Sequence, residues 1–82
     1  MAKVKKVPIN DIWLAAFLDS QGLRPEITKQ GTRVVFEFPA TDDFYRLARA
    51  YNENPQVPLL NYITAVRQLR AQMISARGRG NE

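Results

Sequence analysis

Four stretches of the chain carry periodic apolar positions, three with helical spacing and one with the period of a strand. Between Asn10 and Gly22 nearly every position is apolar, with Trp13–Phe17 and Leu14–Leu18 as i,i+4 pairs and Ile12, Ala15 and Ala16 between them. A helix that is apolar almost all round belongs at the centre of a core. Asn10 is placed to cap this helix, Asp11 to begin it and Gly22 to stop it, and Trp13 reads as a core anchor. From Leu23 to Pro39 the period drops to two: Val34, Phe36 and Phe38 alternate with Arg33, Val35 and Glu37, as in a half-buried strand. With Gln30-Gly31 as a two-residue turn, the arithmetic predicts a hairpin in which Ile27 faces Val34, Pro25 faces Phe36 and Leu23 faces Phe38. The other face then sets Arg24 against Glu37, and Pro25, lacking a donor, belongs on an edge strand.

Helical spacing returns at Thr41, a cap followed by Asp42 and Asp43, where the positive end of the helix dipole favours acids. Phe44, Leu47, Ala48 and Tyr51 form its inward stripe, Asp42–Arg46 and Arg49–Glu53 its outward i,i+4 pairs, and Asn52-Glu53-Asn54-Pro55 ends it. Pro58 suits the first position of a third helix running to about Ala76, with Leu59, Tyr62, Ile63, Val66, Leu69 and Met73 facing inward. The expected fold is α+β, a compact α-β-β-α-α domain with a β-hairpin packed on three helices. The Lys3-Val4-Lys5 alternation adds room for an extra N-terminal strand over Val4–Val7. The implied organisation is a basic tail or edge strand over 1–6, one domain over 7–76, and a disordered basic tail over 77–82.

Composition narrows the chemistry. At 82 residues, 45% apolar and 24% charged, the chain has the make-up of a small globular domain rather than a disordered one. It contains no cysteine and no histidine, which removes thiol nucleophiles, disulfides, zinc sites of the usual kind and imidazole acid–base chemistry. Ser20, Ser75 and Thr41 have no base in a recognisable spacing, and Asp42-Asp43 is accounted for by capping. The expectation is a non-enzyme with no cofactor and no metal. No segment reaches the ~18–20 apolar residues of a membrane span. The run Ile12–Leu18 is too short, too closely bracketed by Asp11 and Asp19, and without the cleavage site of a signal peptide, so a cytoplasmic location is expected.

The formal charge is +4. Between Val7 and Ala76 the cations Arg24, Lys29, Arg33, Arg46, Arg49, Arg67 and Arg70 are matched by the anions Asp11, Asp19, Glu26, Glu37, Asp42, Asp43 and Glu53. The excess therefore sits in Lys3, Lys5 and Lys6 at one end and in Arg77 and Arg79 at the other. Two surfaces on the third helix invite a partner. Arg70 falls within the apolar arc, as an arginine offered to an interface or a phosphate would. The opposite arc, Asn61, Thr64, Gln68, Ala71, Gln72 and Ser75, carries no charge where a solvated helix ordinarily carries Lys and Glu. That face suits packing against a second copy of the chain or another protein. The alternative is weak nucleic-acid binding through Lys3, Lys5, Lys6, Arg67, Arg77 and Arg79. The chain lacks the GxxG loop of a KH domain and the fourth strand of an RNA-recognition motif, so any such binding is electrostatic.

The run Asn10-Asp11-Ile12-Trp13-Leu14-Ala15-Ala16-Phe17-Leu18, then Gly22, then Arg33-Val34-Val35-Phe36-Glu37-Phe38, Thr41, Phe44, Tyr51 and Leu69-Arg70, resembles a small bacterial domain family of unknown function that is also seen in mobile elements. The resemblance covers about residues 9–73. The matching positions are core, cap and turn residues, so the resemblance implies a fold and assigns no ligand, reaction or functional residue. What remains is an accessory or interaction domain acting through protein–protein contacts.

Overall fold

The computed structural model describes residues 5–79. Its elements are β1 (Lys6–Ile9), α1 (Ile12–Ser20), β2 (Glu26–Gln30), β3 (Arg33–Pro39), α2 (Asp42–Asn52) and α3 (Leu59–Arg79). The three strands form one antiparallel sheet in the order β1-β3-β2, so the expected α+β hairpin-and-helices fold holds and the extra N-terminal strand is present. That strand lies at Lys6–Ile9 rather than Val4–Val7. In this position Val7 and Ile9 stand opposite Phe38 and Phe36 on the inner face, and Pro8 falls on an edge, where its missing donor costs no ladder bond.

The hairpin register differs from the expected one by two residues. Gly31-Thr32, not Gln30-Gly31, makes the turn: Gln30 pairs with Arg33, Lys29 with Val34, Thr28 with Val35 and Ile27 with Phe36. Gly31 has φ +64° and Thr32 does not share the positive sign, the arrangement of a type II′ turn with glycine first. An even slip leaves each side chain on its expected face, so Ile27 and Phe36 still point inward. The cross-strand partners change. Arg24–Glu37 is not formed, Pro25 precedes the strand, and Glu26 stands opposite Glu37. Lys6 Nζ reaches across β3 to Glu26 Oε1 at 2.9 Å, and Thr28 Oγ1 donates to Glu37 Oε1 at 2.8 Å, which relieves the two facing carboxylates.

All three helices contribute to a core on the sheet's inner face. Phe36 and Phe38 meet Ala15, Ala16, Phe17 and Leu18 of α1, Phe44 and Leu47 of α2, and Ala65, Val66 and Leu69 of α3. The central position of α1 is as expected, but it applies to its second half. Asp11, not Asn10, is the cap, its carboxylate accepting the Trp13 N–H at 2.9 Å, and in the first turn Ile12 and Leu14 pack against the core while Trp13 faces outward. Trp13 is consequently 50% exposed and is not the anchor its type suggests. The helix closes with Gly22 N–H on Asp19 O and Leu23 N–H on Leu18 O, both at 3.0 Å, the paired bonds of a Schellman stop with Gly22 at φ +102°.

In α2, Thr41 Oγ1 accepts the Phe44 N–H at 3.1 Å, as the sequence predicts. The ion pair on its surface is Asp43–Arg46 at 3.3 Å, spaced i,i+3, in place of the expected Asp42–Arg46. Among the described residues Arg49 and Glu53 form no ion pair. Helix α3 extends beyond Ala76, so Arg77 belongs to the helix. Its first turn overhangs the core and leaves Leu59 67% exposed, contrary to its expected inward place.

Candidate functional site

The 21 residues of α3 make a rod about 31 Å long, and its circumference divides into three unlike sides. The buried side carries Ala65, Val66 and Leu69, with Tyr62 and Met73 partly covered. Opposite it, Asn61, Thr64, Gln68, Ala71, Gln72 and Ser75 are all exposed, and Leu60 is 76% exposed at the same end as Asn61. Gln72 and Ser75 border β2, where they line a shallow groove with Pro25 and Ile27. The neutral face expected from the sequence is thus one continuous solvent-facing strip.

Between these two sides runs a flank that spacing at about 100° per residue gives to Arg67, Arg70, Ile74 and Arg77, all exposed. Arg70 sits at the margin of the buried side and has no ion-pair partner among the described residues. At the C-terminal end of this flank Arg77 faces a groove of about 350 Å³ whose other walls are Met73, Val34, Asn10 and Arg33. Two guanidinium side chains from distant parts of the chain therefore border one hollow. Lys29, paired with Val34 across the ladder, adds a third cation at this end of the hairpin.

The cations expected to act together are dispersed by the fold. Lys6 is held by Glu26, and this bond raises its pKa above the ordinary lysine value. Lys5 is exposed at the start of the described residues, its carbonyl accepting the Ala40 N–H at 2.7 Å. Lys3 lies outside the described residues, as does the side chain of Arg79. Arg67 and Arg77 lie on the α3 flank. Arg33 was not singled out by sequence reasoning, because its pairing with Arg77 depends on the hairpin tip meeting the end of α3. A countable signal was available: Thr28–Phe36 and Leu59–Arg79 together contain Lys29, Arg33, Arg67, Arg70, Arg77 and Arg79 and not one acid. The seven anions that balance the body lie on α1 and its cap, on β2 and β3 beyond Thr28–Phe36, and on or beside α2. A neutral sum conceals a polarised molecule.

A further hollow of about 480 Å³ opens between α1, the end of α2 and α3, walled by Phe17, Tyr51 and Tyr62 with Asn52 and Asn54 at its rim. Tyr62 donates its hydroxyl to the Trp13 carbonyl at 2.9 Å and lies tilted against the Trp13 ring at 6.4 Å. Burial, followed by the nearby Tyr51 and Asp11, pushes the Tyr62 phenol above its ordinary value. A phenol so committed is a structural hydrogen bond rather than an acid. No helix among the described residues is long and apolar enough to cross a membrane.

No curated protein and no solved structure matches the chain at a significant level. A family model does match, over residues 5–75, from β1 to within four residues of the end of α3. That span takes in all three strands, α1, α2 and all of α3 but its last four residues, Arg77 among those left out, so the chain belongs to the family described as Domain of unknown function (DUF5659).

Proposed function

We propose that this protein is a non-enzymatic, cytoplasmic interaction domain that acts through protein–protein contact and pairs with a second copy of itself along the neutral strip of α3. The observation that carries this reading is the exposure of Asn61, Thr64, Gln68, Ala71, Gln72 and Ser75 together without one charge among them. Solvated helix faces are normally kept soluble by Lys and Glu. An uncharged strip of small and amide side chains gives two such helices nothing to repel and several amides to pair. Leu60, 76% exposed, supplies an apolar contact at one end. A small domain with limited core burial gains stability from such pairing. The strip runs about 21 Å along the helix from Asn61 to Ser75, which is at the small end of specific interfaces.

Light scattering over a concentration series tests this on wild type and Gln68→Glu. A dimer at high concentration in wild type, lost when a carboxylate is placed at the middle of both strips, supports the reading. A monomer throughout in wild type, or a dimer that tolerates Gln68→Glu, refutes it.

A further inference from the structure

We propose a second binding surface distinct from the neutral strip: the arginine flank of α3, ending in the groove between Arg33 and Arg77, binds the phosphate backbone of a nucleic acid. Arg33, Arg77 and Asn10 line the groove together with Val34 and Met73, and guanidinium and amide side chains are donors of the kind that match phosphate oxygens. The elements meeting there, Thr28–Phe36 and Leu59–Arg79, hold six cations and no acid. A polyanion is therefore the complementary partner, and a second copy of the same flank is not.

The geometry favours an extended polyanion over an isolated phosphate. Arg67, Arg70 and Arg77 span about 15 Å of helix, the length of about four nucleotide steps at ~3.4 Å per step along one strand. The groove is concave, and a flat bilayer surface does not enter it. Leu60 and Ile74 are exposed on the flanking turns, but arginines interrupt them, so there is no unbroken apolar stripe of the kind that seats an amphipathic helix in lipid. Lys6 does not belong to this surface, since it lies on β1 in contact with Glu26. Recognition through phosphates alone carries no sequence preference.

Fluorescence anisotropy with labelled 20-base-pair duplex DNA of random sequence, over a salt series, tests the proposal on the full-length chain. Four phosphate contacts, by Arg33, Arg67, Arg70 and Arg77, give a log–log salt slope of about −3.6 in wild type, and Arg33→Gln/Arg77→Gln flattens it to about −1.8 with at least ~10-fold weaker binding at low salt. Lys3→Gln/Lys5→Gln leaves most of the slope in place. Circular dichroism melting of each variant shows that the fold is retained, and Arg77→Gln alone, with an intermediate slope, serves if the double variant melts early. The proposal is overturned by absence of binding in wild type at low salt, by an unchanged slope in the folded groove variant, or by loss of binding in the lysine variant. It is equally overturned if the chain binds vesicles containing phosphatidylserine but not the duplex.

Discussion

Replacing Trp13 by alanine distinguishes the structure from the sequence pattern more sharply than any other single change. A tryptophan in an apolar run reads as an anchor, and truncating a fully buried aromatic costs about 3–5 kcal/mol. Here the side chain is 50% exposed, so about half of that burial is lost, on the order of 1.5–2.5 kcal/mol. Its tilted contact with Tyr62 at 6.4 Å contributes up to roughly 1 kcal/mol of this order besides. The Tyr62 hydroxyl bond ends on the Trp13 backbone carbonyl and survives the substitution. The expected loss is about 2–3 kcal/mol. Phe36→Ala is the internal standard: Phe36 is fully buried in the central strand, and its loss falls in the full range of about 3–5 kcal/mol. Urea unfolding of both variants, followed by far-ultraviolet circular dichroism because one of them lacks the only tryptophan, gives the comparison directly. Trp13→Ala costing as much as Phe36→Ala would refute the outward placement of Trp13. Acrylamide quenching of native wild-type fluorescence gives a second reading, since a half-exposed indole is quenched and a core indole is not.

Two further outcomes follow from local geometry. Gly22→Ala places a Cβ where nothing lies within 4 Å, at φ +102°, so the cost is backbone strain alone, about 1–2 kcal/mol; a neutral effect in thermal melts would contradict the Schellman stop. Burial raises the Asp19 carboxyl above its ordinary value, with Arg24 opposing the shift in part, so the folded chain binds this proton more tightly than the unfolded one. Its contribution to stability is therefore greatest below the ordinary carboxylate pKa and falls as pH rises through the raised value. Asp19→Asn is expected to be more stable than wild type at pH 7, with the difference shrinking toward pH 3, and a difference that grows on acidification would show the opposite shift.

Much of the fold was legible in the pattern along the chain, because that information is local. Helix periodicity, the Thr41 cap, the Gly22 stop and the alternation through Val34, Phe36 and Phe38 each depend on neighbours within one or two turns. The hairpin register was legible only to the right face: Gly31 signals a turn, but standing first or second in it puts the same residues on the inner face, so the local pattern does not choose between the two. The neutral strip of α3 was also legible, since helical spacing alone brings Asn61, Thr64, Gln68, Gln72 and Ser75 into line.

The sequence by itself determined which residues are apolar, which segments lack acids, and the absence of thiols and imidazoles. Tertiary structure alone decided which apolar residues are covered, since α1 packs Ile12 and Leu14 against the core while leaving Trp13 half exposed, and the first turn of α3 overhangs the core and leaves Leu59 largely in solvent. It also decided where charge accumulates. Counted along the chain, cations and anions cancel from Val7 to Ala76, and the surplus falls at the ends. Folding draws Lys6 to Glu26, keeps Arg77 on a helix, and sets that helix beside the hairpin tip carrying Arg33. Electrostatic potential depends on distance through space, and positions 33 and 77 become neighbours only when the sheet and α3 have packed.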